Sequence, residues 1–471
     1  MRQTPASFRD SLFDVVPASL PRLDPGFRPL SLGVRNFRGN LPDQPAWLRM
    51  ALVQGEGAIA RKDIPVFPEG SGRDADNLRC ASWVLNFLLW ARGGHRVFLQ
   101  GPPRLCQALA AEYAPEGIHA FDARLMEQAF AQRFDVRIVE DGSMPEAMAR
   151  PLTLGGHLEG CRIGFDLGAS DYKIAAVKEG EAVFSTEIPW DPRNQPDPAY
   201  HYERIQEGLR LAAAHLPRVD AIGGSSAGIL VENRIRVASL FRSVPQETFR
   251  AQVETLFPRL QQEWGVPLDV INDGDVTALA GAISLGLTGI LGIAMGSSEA
   301  VGFLDRGGHI TGWLNELAFA PVDANPDAGT DDWSGNPGIG AAYFSQQAVN
   351  RLAPAAGLSF PADMGLPERL KQVQERMAQG DSAAAEIFDS IGVFLGYAIP
   401  WYEEFYELDH AMILGRVTSG AGGEVILARA KEVLAAEFPE VARRVSLFLP
   451  DEKSRRVGQA VAAASLPMLR P

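Results

Sequence analysis

Strands that alternate with helices predict an α/β protein, and three observations carry that reading. Between residues 74 and 140, short apolar runs of strand length follow segments with helical spacing. From Cys161 a second, larger region opens on an apolar strand and repeats the alternation. The composition is globular: of 471 residues 46% are hydrophobic and 22% charged, with 47 Gly and 33 Pro. This excludes wholesale disorder, collagen and coiled coil, and the length suggests about two to four domains.

Residues 1–60 carry scattered Pro and Gly and little periodicity, so they are expected to form loops or an arm lying on another domain. Asp76 to Trp90 reads as a helix, His95 to Gln100 as a strand and Arg104 to Tyr113 as a helix. Ile118 to Asp122 reads as a short strand, Ala123 to Phe134 as a helix, and Asp135 to Glu140 as a strand. Residues 151–160 read as a connector. Cys161 to Phe165, Tyr172 to Val177 and Ala182 to Ile188 are expected strands around tight turns. This is not the strand–turn–helix that opens a Rossmann or P-loop unit. Pro189 to Pro198 reads as a surface loop, Tyr202 to His215 as a helix and Val219 to Ser225 as a buried strand. Further strands are expected at Leu268 to Ile271, Gly289 to Met295, Ala300 to Leu304 and Ala411 to Leu414. Helices are expected at Val276 to Ile283, Ala383 to Glu404 and Glu424 to Phe438, with a loop over 321–340.

The chain carries 44 Lys+Arg against 58 Asp+Glu, a formal net charge of −14. Nucleic acid is therefore an unfavoured partner. Cys80, Cys106 and Cys161 are far apart and form no C-x-x-C pair, so a disulfide scaffold and a cysteine-only zinc site are not expected. Reduced cysteines suggest a cytoplasmic protein. The N-terminus has no apolar core of signal-peptide length, and Cys80 to Ala91 falls short of the roughly 20 residues that span a bilayer. That run reads as a buried helix.

Five stretches carry chemistry. Asp166-Leu-Gly168-Ala-Ser170-Asp-Tyr-Lys173 places Gly and Ser at the tip of a tight hairpin. Its backbone N–H groups suit phosphate oxygens, and a carboxylate beside it can hold Mg²⁺ through water. The same residues suit an ordinary hairpin. Asn272-Asp273 ends an apolar strand, at the crevice where α/β ligands bind, and Asp273 there could take a hydroxyl proton. Equally, Asp273 or Asp275 could cap the next helix. Gly296-Ser297-Ser298-Glu299 is another small-residue turn, either a phosphate contact or a plain hairpin. Trp313-Leu-Asn315-Glu316 pairs an amide and a carboxylate that can grip vicinal hydroxyls, with Trp313 stacking on a sugar face; a solvated amphipathic turn is the alternative. Gly415-Arg416-Val-Thr-Ser-Gly420 lets a nucleotide approach the backbone, or is a flexible turn.

In their order and spacing these stretches resemble the ROK sugar kinases of the actin/hexokinase/Hsp70 ATPase superfamily, from about Cys161 to Pro467. The resemblance implies a two-lobed, actin-like (ribonuclease H-like) ATPase fold with an additional N-terminal α/β region. The expected division is 1–155, 156–275 and 276–471, with the C-terminal helix able to return to the first lobe. It implies ATP-dependent phosphorylation of a sugar hydroxyl, with Asp273 as general base. Asn272, Asn315 and Glu316 would hold the sugar. Asp166, Gly168, Ser170, Gly296, Ser297, Ser298, Gly415 and Gly420 would hold ATP, Asp166 taking Mg²⁺ through water. A homodimer is the expected assembly.

The sequence departs from the family pattern in three places. Ala169 and Ser170 replace Gly and Thr. Glu299 stands in the second phosphate turn, where a carboxylate facing a triphosphate repels it; it must point away, pair with a cation or mark weakened ATP binding. Phe319 and the cysteine-free stretch Asp331-Asp-Trp-Ser-Gly335 replace the family's zinc motif, so no structural zinc is expected, and packing of Trp333 and Phe319 is expected to hold that loop. At Arg416 a guanidinium able to reach adenine or phosphate replaces a Gly; a plain surface charge is the alternative. Two other functions fit the family: a sugar-responsive transcriptional regulator, and a catalytically silent sugar-binding module. The near-even charge of residues 1–150, 18 Lys+Arg against 17 Asp+Glu, and their α/β pattern weigh against DNA binding.

Overall fold

Three sheets organise the chain, each built where β-branched and aromatic residues alternate or run continuously. The computed structural model describes residues 8–150, 152, 154–331, 333–450 and 452–469. Residues 1–7 of the expected arm, Pro151 and Thr153 of the connector and Asp332 of the zinc-replacing stretch lie outside them.

The N-terminal sheet contains β1 (Ala46–Val53), β2 (Ile59–Val66), β3 (Arg96–Gln100) and β4 (Asp135–Ile138), in the order β2-β1-β3-β4. Leu48, Met50 and Leu52 alternate inward from β1, and Val97 and Leu99 from β3. The stretch expected to be irregular thus contributes strand β1, the start of β2 and a helix, Leu30–Gly39. That helix has Pro29 at its N-cap and no side-chain cap, so the usual start signal is missing. Residues 9–29 do form an arm on another part of the molecule. Phe27 packs on Tyr343 and Phe394, and Arg28 N donates to Asp323 Oδ1 at 2.9 Å. The expected strand at Ile118 to Asp122 is not one: helix Ala120–Phe130 starts there. Its inward stripe of Asp122, Leu125, Met126 and Ala129 has helical spacing, and Ile118 lies exposed before it.

The first lobe holds β5 (Cys161–Leu167), β6 (Asp171–Lys178), β7 (Glu181–Pro189), β8 (Ala221–Ser226) and β11 (Leu268–Asn272), in the order β11-β8-β5-β6-β7. Strands β11, β8 and β5 run parallel and the rest antiparallel. A small hairpin, β9 (Ile229–Val231) with β10 (Arg234–Val237), flanks this sheet. The second lobe holds β12 (Ile290–Met295), β13 (Glu299–Leu304), β14 (His410–Leu414) and β15 (Ser446–Phe448), in the order β13-β12-β14-β15. The helix Asp273–Leu285 leads from the end of β11 into the second lobe. The last helix, Glu452–Ala464, packs on β5 and β8 so closely that a Cβ at Gly223 would lie 1.7 Å from Ala463 O.

One apolar core unites the N-terminal region with the second lobe, while the first lobe has its own. The buried helix Asp74–Arg92 is the seam, and its Phe87 stacks on Phe405 and meets Trp401 and Tyr402. Helix Ser382–Glu403 is long and apolar enough to cross a membrane, but most of its residues are buried in this same core. All three cysteines are free and buried.

Deleting the Phe87 ring would leave a cavity among three aromatic side chains. Phe87→Ala is expected to cost about 3–5 kcal/mol of stability. Urea titration should show tryptophan fluorescence and far-ultraviolet circular dichroism losing the N-terminal region and the second lobe together.

Candidate functional site

The parallel strands β5, β8 and β11 end side by side, which sets the site's first-lobe wall. Asp166 stands in register with Ser225, and Ser226 with Asn272. Asp166 accepts a hydrogen bond from Ser225 Oγ and lies 3.6 Å from Lys173 Nζ, its partner across β6. Sequence reasoning overlooked Lys173 and Ser225. The signal for Lys173 was available, since it faces Asp166 across the expected hairpin. The turn after β5 is open at Ala169 and Ser170. Trp190 holds it from beneath: its Nε1 donates to Gly168 O at 2.8 Å and its backbone N to Ser170 O at 3.1 Å. Ser170 Oγ donates to Asp171 at 2.8 Å.

Asn272 caps the following helix, so neither Asp273 nor Asp275 is the cap. Its backbone is extended, and its Oδ1 accepts from Gly274 N at 2.7 Å while its Nδ2 donates to Gly228 O at 2.9 Å. Both polar ends of Asn272 are thus engaged within the protein. Asp273, the first helical residue, is half-buried, and Gly274 N reaches its Oδ1 at 3.1 Å. Burial, and then the charge of Asp166, push its pKa up to about 6.

The helix that carries Asp273 begins in direct backbone contact with the second lobe. A Cβ at Gly274 would lie 2.4 Å from Val301 O, and one at Gly302 would lie 2.1 Å from Gly274 O. Neither position has room for a side chain. This contact joins the Asp273 end of the first lobe to the β12–β13 hairpin, whose turn exposes Ser297 and Ser298, with Gly296 N donating to Ser298 O at 3.0 Å. The Gly415–Gly420 loop joins the same hairpin, Val417 N donating to Met295 O at 3.1 Å. Arg416 is exposed, and Gln374 Nε2 donates to its carbonyl at 2.9 Å.

Glu316 comes from a segment pinned by the N-terminal region: the N–H groups of Leu314, Asn315 and Glu316 donate to the carbonyls of Arg92, Ala91 and Trp90. Burial, then Asp273 and Asp275, push the Glu316 carboxyl up to about 8. Asp166, Asp273 and Glu316 therefore form one electrostatic group. Asn315 does not face a ligand. It is buried, donates from Nδ2 to Asp275 Oδ1 at 2.9 Å and accepts from the Tyr406 hydroxyl at 3.0 Å. Two buried partners distant in sequence claim its amide. Trp313 likewise does not offer a free stacking face: it lies parallel to Phe303, and the Arg92 guanidinium sits 3.1 Å from its ring centroid.

Glu299 points away from the turn. It is buried, its Oε1 accepts from the Tyr402 hydroxyl at 3.4 Å, and its Oε2 packs against Gly340 with no hydrogen-bond partner among the described residues. Burial pushes this carboxyl up to about 8. Phe319 packs at a tilt against Trp90 and edge-on against Trp333, and Phe121 joins Trp333 from the N-terminal region. Asn336 Nδ2 ties the same loop to buried Asp122 at 3.0 Å. Aromatic packing and this amide contact hold the loop where the family pattern has zinc. Among the described residues no group of three or more His, Cys, Asp or Glu side chains could hold a metal ion.

No protein-family model and no curated protein matches the chain. Solved structures do. A ROK hexokinase from Thermus thermophilus is 18% identical, with a TM-score of 0.50 over 64% of this chain and 97% of that one. A ROK family transcriptional regulator, a homolog of the E. coli MLC protein, is also 18% identical, with a TM-score of 0.50 over 65% of this chain and 78% of that one. The fold is the two-lobed, actin-like ATPase fold that these proteins share.

The raised Glu299 carboxyl has a measurable signature. Between about pH 4 and pH 8 the native state binds the extra proton, so the stability this residue contributes falls as pH rises through that window. Glu299→Gln is expected to flatten the decline of the thermal midpoint from about pH 5 to pH 8. Differential scanning calorimetry at stepped pH reads it.

Proposed function

We propose that this protein is an ATP-dependent sugar kinase. The observation that carries the reading is Asp273: a half-buried carboxyl at the end of β11, on a helix whose start touches the second lobe, with Asp166 near enough to raise its pKa. A phosphoryl-transfer base needs this placement, between an acceptor hydroxyl and a phosphate held by the second lobe.

The residues present fit a magnesium nucleotide. Two small-residue turns open toward solvent, and Asp166 and Lys173 supply one carboxylate and one cation beside the first. Asp166 would hold Mg²⁺ through water, and Lys173 would meet phosphate oxygens. Backbone donors at Gly168, Ser170, Gly296, Ser297 and Ser298 would cradle the phosphates, and Gly415 and Gly420 would flank the nucleoside. Bound ATP supplies the phosphoryl group. Asp273, ionised above its pKa of about 6, takes the proton from the acceptor hydroxyl. Glu316, protonated at neutral pH, both donates to and accepts from sugar hydroxyls. Asn272 and Asn315 act one step back, Asn272 by fixing the start of the Asp273 helix and Asn315 by holding Asp275 beside Glu316. The inward turn of Glu299 removes the feature that spoke for a silent sugar-binding module. The regulator that shares the fold means that fold alone does not choose between catalysis and regulation. A cytoplasmic setting, where ATP is supplied, suits the reading.

Asp273→Asn is expected to lower kcat by about 10²–10⁴-fold while the sugar dissociation constant, from calorimetry, stays within a few-fold of wild type. Near-normal turnover in that variant would remove Asp273 from the role of base. Independently, kcat/KM of the wild type is expected to rise with pH on a limb centred near the Asp273 pKa of about 6. A coupled ADP-release assay at constant ionic strength reads it.

A further inference from the structure

A cavity of about 480 Å³ lies beside the proposed acceptor site, within the range of ligand pockets. The first lobe lines it with Gly228–Asn233 and with Asp269–Asn272 of β11. The second lobe adds Ile310–Leu314, directly before Glu316. The third wall is the N-terminal region, which brings Arg61, Arg92 and Arg150.

The wall's carboxylates are engaged or outlying. Asp275 accepts from Asn315 Nδ2 and from Phe303 N, Asp269 accepts from Asn233 Nδ2 at 3.1 Å, and Glu232 is exposed. Arg61 is paired with Asp63 and Glu146, each at 3.4 Å. Arg92 is different. Among the described residues its guanidinium forms no ion pair; its Nη2 donates to Phe405 O, and its Nη1 is buried with no partner. On the second-lobe wall Thr311 Oγ1 is buried and, among the described residues, unpartnered. A buried cation without a counter-charge is costly, and an anion beside it offsets that cost. The Trp313 ring, its centroid 3.1 Å from the guanidinium carbon, offsets part of that cost; a neutral hexose adds no counter-charge, whereas a carboxylate or phosphate ester on the sugar supplies one.

We infer that the cavity binds a sugar bearing an anionic substituent, a carboxylate or a phosphate monoester, with Arg92 as its counter-charge; that this sugar is the phosphoryl acceptor rests on the kinase reading above. The N-terminal region then sets specificity by completing the acceptor site.

Calorimetry on the full chain tests it with glucose, galactose and mannose, each beside its uronate and its 6-phosphate. At least one acid or ester is expected to bind at least tenfold more tightly than its parent. Arg92→Gln should abolish that advantage and Arg92→Lys should retain part of it. The wild-type ranking decides alone if Arg92→Gln fails to fold. Equal or weaker binding of every acid and ester than of its parent, or no binding of any, overturns the inference. ADP release with the same sugars separates the two readings. Anion-selective binding without turnover of any sugar supports the cavity and overturns the kinase reading. Turnover of neutral hexoses with no anion preference does the reverse.

Discussion

Backbone lies on backbone where the helix carrying Asp273 meets β13, and the geometry of the site depends on that contact. Gly274 and Gly302 leave no volume for a side chain, so the first turn of the helix sits against the second lobe at a fixed distance. The start of the helix is set from the other side by Asn272, whose amide spans Gly274 and Gly228. The carboxyl group at 273 is thereby held between the strand ends of one lobe and the hairpin of the other. A larger residue at either glycine would separate the two halves of the site without touching a ligand.

Charge is concentrated there without neighbouring cations in equal number. Asp273, Asp275, Glu299 and Glu316 are all driven toward their neutral forms, chiefly by burial. The ordering is useful. Asp273 keeps the lowest of the four values and is the most fully ionised in neutral solution; Asp275 follows at about 7, and Glu299 and Glu316 hold their protons most firmly. Environment thus assigns different roles to chemically similar groups.

Most strands of both lobes were legible in the sequence, because β5, β8, β11, β12 and β14 are short runs of mainly apolar and small residues; β9, β10 and β15, only three or four residues each, were not. Asp166, at the end of β5, and Asp273, Gly296 and Gly415, directly after β11, β12 and β14, were legible for the same reason. The orientation of Asn315 and Trp313 was not. It is decided by Tyr406, 91 positions further along, and by Arg92 from a helix more than 200 positions earlier. The helix at Leu30–Gly39 and the strand β1 escaped because prolines and glycines surround them and no side chain caps the helix. Local signals could not reveal that the helix is tied to the far half of the chain, where Arg35 lies over the Phe438 ring and Arg38 pairs with Glu404.

That stabilisation bears on heredity. The aromatic seam around Phe87, Trp401 and Phe405 belongs equally to the first ninety residues and to the last eighty, so neither part is a cassette that recombination could exchange alone. A gene encoding only the two lobes would yield a protein with a greasy, unroofed flank. A change of ring size on one side of the seam leaves a void or a clash on the other, so the two parts fit only as a matched pair.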